Sequence, residues 1–356
     1  MEIIARKPWI ERDGDERSLS DIQTTVELRA GLPIPIIDLG PCLAGDPAAV
    51  DTTARALGEA CETLGFFFIR NHGVDKKIID RAFLECERFH SLVLERKLAV
   101  RAVGKIVGYL PLGGQTQRTS VHGKSVAPDR SASFYVRQEI PADHPDRIAN
   151  KPWVFDNRWP DDLPGFREGA LAYFAAMAGL GDRLLELHAL AMGLPRDYLT
   201  SHAAFRPPTY NLRLLHYPPR DPVLDGQFGI GPHTDYSYCT ILAQSNLPGL
   251  EILARGGEWI EAPALDGHLL INNGDMCRRW TNEKYRSAPH RVINRTGMTR
   301  YSVPFFIGPR LDVRLDCWPT CCEPGNGRRP EPLSFGEYLA DINSKNYELP
   351  AEDKSV

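Results

Sequence analysis

The sequence lacks long hydrophobic runs and an apolar amino-terminal segment. Its longest apolar stretch is eleven residues, from Ala170 to Leu180, which is too short to cross a bilayer. The first thirty residues are charged and contain no apolar segment of the kind that secretory signals carry. We therefore expect a cytoplasmic protein that has no membrane partner.

Cysteine is sparse, and neither sign of charge dominates. The eight cysteines among 356 residues include no C-x-x-C pair, which predicts reduced thiols rather than a disulfide framework. The 42 basic and 46 acidic residues leave a formal net charge of −4, which gives no general electrostatic footprint for nucleic acid. We expect a small-molecule substrate, no nucleic-acid partner and, by default, a monomer.

The pattern of apolar residues changes near residue 205. Before this point the sequence predicts helices over 50–64, from Asp75 onward and over 164–192, because apolar residues recur there at helical spacing. Residues 101–160 are rich in Gly, Pro and polar residues and predict loops with some strand. A helical pattern returns over 335–342.

The segment after residue 205 alternates short strand-like runs with Gly and Pro turns, a pattern typical of an all-β sandwich or barrel. Strands are predicted over 209–217, 237–243, 250–254, 268–272, 290–294 and 300–307. The whole chain therefore predicts helices first, then a β-rich core, and a helix near the end.

The first candidate for chemistry is His233-Thr234-Asp235. Residues i and i+2 of a strand face the same side, so an imidazole nitrogen and a carboxylate could act together. A second histidine from a distant strand would complete the two-His-one-carboxylate set of non-haem Fe(II) oxygenases, and His290 is the leading candidate. An isolated His-x-Asp pair is a weak signal, because such a pair more often belongs to a surface turn than to a metal site.

The second candidate is Arg300-Tyr301-Ser302, ten residues after His290. Here the guanidinium and the hydroxyl share one face of a predicted strand. An Arg fork binds a carboxylate through two hydrogen bonds, and Ser can add a third. The pair suits the distal carboxylate of a dicarboxylate that chelates a metal, although Arg300 alone would fit an exposed edge strand.

These residues together resemble the 2-oxoglutarate- and Fe(II)-dependent oxygenases of the isopenicillin N synthase-like superfamily. The H-x-D, distal H and R-x-S motifs of that family stand here at His233, Asp235, His290, Arg300 and Ser302. Its amino-terminal motifs also have counterparts, which read Ile-Pro-Ile-Ile-Asp-Leu over 34–39 and Gly-Phe-Phe-Phe-Ile-Arg-Asn-His-Gly-Val over 65–74. The resemblance extends over nearly the whole chain.

The resemblance implies a mainly β fold with α-helices. Its core would be a double-stranded β-helix, or distorted jelly roll, flanked by amino-terminal helices and a carboxy-terminal helix. It implies a helix-rich amino-terminal region over 1–204 packed on the core, a jelly-roll core over 205–310 and a carboxy-terminal extension over 311–356. The iron would lie near one open end of the jelly roll.

The resemblance also implies an activity, that of a 2-oxoglutarate-dependent non-haem iron dioxygenase. His233, Asp235 and His290 would hold Fe(II), while Arg300, Ser302 and Tyr217 would contact 2-oxoglutarate. Together with O2, the enzyme would oxidise a small organic molecule, for example in secondary metabolism. The outcome would be hydroxylation, desaturation or a ring-forming or rearranging oxidation, with release of succinate and CO2.

Candidate substrate contacts follow from strand alternation. If Tyr217 faces the site, then Asn211 and Arg213 face it too, and Phe306 lies on the same wall as Arg300. A buried Arg213 needs a partner, either an acidic or carbonyl-bearing substrate or a neighbouring carboxylate. Two further candidates stand in the loop-rich region that covers the site in relatives, Tyr109 and Phe134.

Two alternatives remain open at the level of sequence. Oxidases of the isopenicillin N synthase type share the iron ligands and the R-x-S motif but do not use 2-oxoglutarate. A catalytically silent homologue could keep the fold and act as a ligand-binding protein. A silent homologue need not keep five aligned polar residues. This alternative is therefore disfavoured by the intact set at His233, Asp235, His290, Arg300 and Ser302.

Overall fold

A computed structural model describes residues 26–27, 33–123, 125, 127–151, 153–219, 226–314, 317–322 and 333–350. The helices are α1 (Gly40–Leu43), α2 (Pro47–Thr63), α3 (Lys76–His90), α4 (Leu94–Ala99), α5 (Pro145–Ile148), α6 (Phe166–Ala191), α7 (Tyr198–Ser201), α8 (Asp275–Trp280) and α9 (Phe335–Asn346). Short 3-10 helices cover Ala203–Phe205 and Pro319–Cys321.

The strands are distributed along the whole described chain. They are β1 (Val26–Glu27), β2 (Ile36–Asp38), β3 (Phe66–Arg70), β4 (Gly108–Leu110), β5 (Ala132–Arg137), β6 (Thr209–Tyr217), β7 (Ile230–His233), β8 (Cys239–Gln244), β9 (Leu250–Leu253), β10 (Trp259–Ala262), β11 (His268–Asn273), β12 (His290–Val292) and β13 (Arg300–Gly308).

These strands form two sheets. The large sheet has the order β1-β2-β3-β11-β8-β13-β6-β5-β4, and the small sheet has the order β10-β9-β12-β7. The pairing of β2 with β3 is parallel and the other pairings are antiparallel. This mixed, β-rich arrangement confirms the predicted jelly-roll core with flanking helices.

The two faces of the large sheet pack against different partners. On β3, Phe67 and Ile69 belong to a core shared with the helices, whereas Phe66 and Phe68 belong to a core shared with residues of the small sheet. Since side chains alternate along a strand, a shift of one residue moves a side chain from one core to the other. The same alternation decides which face of the large sheet each residue of β5, β6 and β13 occupies.

Two of the long helices, α2 and α3, begin at side-chain caps. The side chain of Asp46 accepts hydrogen bonds from the amides of Ala48 and Ala49 at the start of α2, and Asp75 accepts one from the amide of Lys77 at the start of α3. Such caps satisfy amides that have no partner inside the helix. Both helices pack against α6 and cover the outer face of the large sheet.

Several sequence-based boundaries agree with the structure. The strand predicted over 209–217 coincides with β6, and the helix predicted over 164–192 contains α6. The loop-rich region 101–160 supplies two complete strands, β4 and β5, to one edge of the large sheet. Strands from before residue 205 therefore belong to the same sheet as the strands of the core. The division of the chain into regions at residue 205 stays a prediction.

Cys317 and Cys322 lie next to each other around the 3-10 helix Pro319–Cys321, with their Cα atoms 5.9 Å apart, whereas the other six cysteines are free. A single local pair is not a disulfide framework, so the expectation of reduced thiols stays a prediction. In the part of the chain that the structure describes, no helix combines the length and the apolar character needed to cross a bilayer.

Candidate metal centre and cosubstrate site

His233, Asp235 and His290 converge at one point on the small sheet. His233 ends β7 and His290 begins β12, and the two residues are direct partners in the register of these antiparallel strands. One possible ligand atom from each residue lies within 4.8 Å of the other two. The structure therefore brings together the three residues that the sequence proposed as metal ligands.

Backbone carbonyl groups fix the orientation of both imidazole rings. Nδ1 of His233 lies 2.9 Å from the carbonyl oxygen of Gly231, and Nδ1 of His290 lies 3.2 Å from that of Ala288. A carbonyl oxygen can only accept, so each Nδ1 donates and each Nε2 keeps its lone pair. The two Nε2 atoms lie 3.8 and 3.7 Å from Oδ1 of Asp235.

The second carboxylate oxygen of Asp235 is held by two neutral donors. Oδ2 accepts a hydrogen bond of 2.6 Å from the hydroxyl of Thr240 and one of 2.7 Å from the amide of Asn272. These two residues are paired across β8 and β11. Oδ2 is thereby satisfied, and Oδ1 is left to face the two imidazoles.

Thr240 and Asn272 are site residues that the sequence analysis did not identify. They belong to strands that are neighbours only in space, so no local pattern connects them with Asp235. The one available signal is that both are polar residues next to apolar runs, 241–243 in β8 and 269–271 in β11, and a buried polar side chain requires a partner.

The electrostatics of the cluster favour a neutral imidazole at His233 and an ionised carboxylate at Asp235. Burial and, to a smaller extent, the adjacent His290 lower the pKa of His233 well below its usual value. Burial by itself would raise the pKa of Asp235, but the two histidines and the hydrogen bonds from Asn272 and Thr240 hold it below its usual value. Neutral imidazole and carboxylate are the protonation states in which these side chains bind a metal.

This donor set fits a non-haem Fe(II) ion. Two imidazole nitrogens and one carboxylate oxygen form the facial set that leaves positions open for other ligands. The outer hydrogen bonds from Gly231, Ala288, Thr240 and Asn272 hold these donors in place. Such outer partners fix the tautomer and orientation of metal ligands.

Arg300 is a buried cation at the start of β13. Only 1% of its surface is exposed. Its Nε donates to the carbonyl of Leu247 at 3.2 Å and one terminal nitrogen donates to the side chain of Gln244 at 3.1 Å. The other terminal nitrogen is buried and has no hydrogen-bond partner among the residues that the structure describes. An unpaired guanidinium N–H group is suited to the carboxylate of a bound cosubstrate.

Tyr217 and Ser302 complete the surroundings of Arg300. Tyr217 is the cross-strand partner of Arg300, and the guanidinium lies 5.0 Å from the centre of its ring. The hydroxyls of Tyr217 and Ser302 lie 3.3 Å apart. The three residues predicted to bind the cosubstrate therefore form one buried cluster, and burial lowers the pKa of Arg300 from its usual value.

A cavity between the large sheet and α9 adjoins the metal cluster. Its wall includes His233 and Asp235, together with the three predicted substrate contacts Asn211, Arg213 and Phe306. Other residues that line it were not identified from the sequence; they include Gln115, Tyr135, Arg137, Phe335, Leu339 and Tyr347. Neither loop sequence nor helix periodicity shows that α9 lies over this cavity.

Tyr109 and Phe134 require a correction. Both are almost fully buried in the core shared with the helices, where their rings lie 5.7 and 4.7 Å from that of Phe89. Phe134 follows Ser133 and precedes Tyr135 on β5, and Tyr135 is the neighbour that lines the cavity. Strand alternation thus directs Phe134 away from the site, and neither residue is available to contact substrate there.

Comparisons with known proteins agree with this site. Residues 208–309 match the model of the 2OG-Fe(II) oxygenase superfamily, and residues 34–162 match that of the non-haem dioxygenase in morphine synthesis N-terminal domain. The 2-oxoglutarate-Fe(II) type oxidoreductase hxnY of Emericella nidulans is 32% identical over 88% of this chain and 90% of its own length. The 2-oxoglutarate-dependent dioxygenase tropC of Talaromyces stipitatus is 34% identical over 79% of this chain and 88% of its own.

Solved structures are similar over most of the chain as well. A full-length Neurospora crassa protein crystallised with alpha-KG, which is 2-oxoglutarate, superposes with a TM-score of 0.76 and is 28% identical; the match covers 89% of this chain and 98% of that one. The extent and identity of these matches establish the family and its cofactors. The chain belongs to the 2-oxoglutarate- and Fe(II)-dependent oxygenases and is a dioxygenase of this family.

Proposed function

We propose that the enzyme oxidises a carbon–hydrogen bond of a small organic molecule by hydroxylation, desaturation or a ring-forming or rearranging oxidation, and releases succinate and CO2. The observation that carries this proposal is the convergence of Nε2 of His233, Nε2 of His290 and Oδ1 of Asp235 beside a cavity. Three donors on one side leave room for cosubstrate and O2 on the other.

His233, Asp235 and His290 are the proposed ligands of Fe(II). The carbonyls of Gly231 and Ala288 keep both imidazoles in the tautomer that offers Nε2. Because Thr240 and Asn272 occupy Oδ2 of Asp235, its Oδ1 is the oxygen that would bind the ion.

Arg300 is the proposed partner of the distal carboxylate of 2-oxoglutarate. Its unpaired terminal nitrogen would donate to that carboxylate, and the hydroxyls of Ser302 and Tyr217 lie beside it. Gln244 and Leu247 hold the rest of the guanidinium in a fixed position. The side chain is therefore oriented before the cosubstrate binds, which reduces the entropy lost on binding.

Fe(II), when bound with 2-oxoglutarate and O2, supplies the oxidising chemistry, in which one oxygen atom enters succinate and the other is available to the substrate or leaves as water. The protein residues hold the substrate in the cavity beside His233 and Asp235 and limit the access of bulk water. The reacting carbon is selected by the position that the cavity wall gives to the substrate.

Related proteins support a small substrate. The Neurospora crassa protein has also been crystallised with alpha-KG and thymine, at a TM-score of 0.75 and 28% identity. A substrate of that size class suits the cavity between the large sheet and α9. We propose a small organic molecule as substrate and a monomer as the functional unit.

Anaerobic titration of the purified protein with Fe(II) and 2-oxoglutarate tests the proposal. We expect a weak visible charge-transfer band that saturates with one equivalent of each and, after admission of O2, one succinate for each 2-oxoglutarate consumed. Asp235→Ala is expected to abolish both signals, whereas the exposed Asp161→Ala serves as the matched control.

Two outcomes would contradict the proposal. A protein that gives no charge-transfer band with both ligands would be a silent homologue. Oxidation of a substrate at an undiminished rate without 2-oxoglutarate would indicate an oxidase of the isopenicillin N synthase type.

A further inference from the structure

Two arginines on adjacent strands face the cavity beside the metal ligands. In the register of β5 and β6, Tyr135 pairs with Arg213 and Arg137 pairs with Asn211. Arg137 is thus two residues from the partner of Arg213, and both side chains lie on the same face of the large sheet. Both also line the cavity whose wall contains His233.

Hydrogen bonds within the protein leave much of both guanidinium groups unused. Arg213 is 6% exposed, and one terminal nitrogen donates to the side chain of Gln115 at 2.7 Å. Its Nε is buried and has no hydrogen-bond partner within the described part of the chain. Nε of Arg137 is also buried without a partner, and its guanidinium forms no hydrogen bond or ion pair with any residue that the structure describes. Burial lowers the pKa of Arg137 to about 10.

Neither arginine has a carboxylate partner in the described part of the chain. A candidate counter-ion is the carboxyl group of Asp129. It accepts hydrogen bonds from the amide of Gly231 at 2.9 Å and from the side chain of Gln117 at 3.4 Å. Burial raises the pKa of Asp129 to about 7, so this group supplies only part of a negative charge at neutral pH. Two desolvated cations without a matching anion are costly, and an anionic ligand would relieve the cost.

Part of the remaining cavity wall is apolar or aromatic, between polar residues such as Gln115 and Asn211. Phe306 lies across the sheet from Asn211, and α9 covers the cavity with Phe335 and Leu339. The centre of the ring of Tyr135 lies 4.8 Å from the guanidinium of Arg213, a cation–π contact. The cavity therefore combines a cationic end with an apolar surface.

We propose, resting on the function proposed above, that the substrate is an apolar or aromatic molecule with one carboxylate, and that Arg137 and Arg213 bind this carboxylate together. The planar fork of each guanidinium matches the two oxygens of a carboxylate. The apolar body then packs against Phe306 and the residues of α9. A carboxylate fixed at this end determines which carbon lies next to the metal ligands.

Calorimetric binding to the anaerobic protein loaded with Fe(II) and 2-oxoglutarate tests the inference. The probes are benzoate, phenylacetate and cinnamate, each compared with its primary amide, and inorganic phosphate. We expect at least one carboxylate to bind tenfold or more tightly than its amide and than phosphate. Saturation with 2-oxoglutarate keeps the Arg300 site filled, so the probes report on the second site.

Variants assign the binding to the two arginines. Arg137→Gln and Arg213→Gln are expected to weaken carboxylate binding about 10- to 100-fold and to leave amide binding unchanged. Arg137→Lys and Arg213→Lys keep the charge but lose the fork, so they should fall between wild type and the Gln variants. The exposed Arg55→Gln on α2 is the matched control, and thermal unfolding of each variant confirms that it is folded.

The outcomes separate this inference from the proposed function. The charge-transfer band of the wild-type protein, recorded before any probe is added, tests the proposed function by itself. With the band present, equal binding of carboxylate and amide, no binding of any carboxylate, phosphate binding as tight as that of the carboxylates, or unchanged binding in both Gln variants would each overturn the carboxylate inference alone.

Discussion

The hydroxyl of Thr240 donates a hydrogen bond of 2.6 Å to Oδ2 of Asp235, and both residues are buried. The bond connects a strand of the large sheet with a proposed metal ligand that follows β7 of the small sheet. It fixes which carboxylate oxygen faces His233 and His290. The proposed metal geometry therefore depends on a residue that would not touch the metal.

We predict that Thr240→Val binds Fe(II) about 10- to 100-fold more weakly than wild type, because the outer partner of Asp235 is lost while the side-chain volume is kept. Anaerobic equilibrium dialysis against Fe(II) measures the change. Thr240→Ser retains the hydroxyl and should stay near the wild-type affinity. Equal affinity in the Val variant and wild type would show that Asn272 alone is sufficient to hold the carboxylate.

A second prediction concerns the buried guanidinium of Arg300. Arg300→Gln removes the charge and the unpaired N–H group, so the Kd of 2-oxoglutarate should rise about 10- to 100-fold while Fe(II) still binds. Arg300→Lys keeps the charge without the fork and should give an intermediate value. Titration of the charge-transfer band at fixed Fe(II) provides the Kd.

Arg295 offers a matched control for this experiment. Its side chain is 53% exposed and pairs with Glu251 on the surface, so Arg295→Gln should leave the Kd of 2-oxoglutarate at the wild-type value. If Arg300→Gln bound 2-oxoglutarate as tightly as this control, the carboxylate would have to be bound elsewhere.

The sequence predicts the elements on which the site is built better than it predicts the contacts between them. Period-two alternation places Arg213 and Tyr217 on one face of β6, and the structure agrees. The expectation that Phe134 contacts substrate is wrong because its segment reads as a loop, and a loop offers no alternation from which to predict the direction of a side chain. Only the pairing of β5 with β6 determines which residues of β5 face the cavity, and the pairing partners of a strand are set by the fold.

A third prediction concerns the attachment of α9 to the loop that follows β7. Oδ2 of Asp275 accepts hydrogen bonds from the hydroxyls of Tyr338, at 2.7 Å, and Thr234, at 2.9 Å. Tyr338→Phe should lower the free energy of unfolding by about 1 kcal/mol, and Asp275→Ala by about 2–4 kcal/mol because two hydroxyls lose their acceptor.

A double-mutant cycle, measured by urea unfolding, checks that the two effects have one origin. In the Asp275→Ala background, Tyr338→Phe should cost little, since the hydrogen bond is already lost. If Tyr338→Phe has the same effect in both backgrounds, the tyrosine stabilises α9 by packing rather than through Asp275.

The last prediction concerns how the stability of the metal-free protein depends on pH. Burial raises the pKa of Asp129 to about 7, whereas in an unfolded chain this carboxyl group would have its usual pKa of 3.8. Between these values the folded protein holds a proton that the unfolded chain has released. The contribution of Asp129 to stability is therefore complete below about pH 4 and is lost as the pH rises through about 7.

Asp129→Asn is neutral at every pH and should remove this loss. We expect the free energy of unfolding of the variant, relative to wild type, to increase between about pH 4 and pH 7 and then to level off. A difference of about three pKa units corresponds to at most about 4 kcal/mol. Urea unfolding at a series of pH values measures the difference, with the exposed Asp161→Asn as control. A difference that is flat over this range would mean that Asp129 is ionised in the folded protein, and Arg213 would then have a protein counter-ion rather than a need for an anionic substrate.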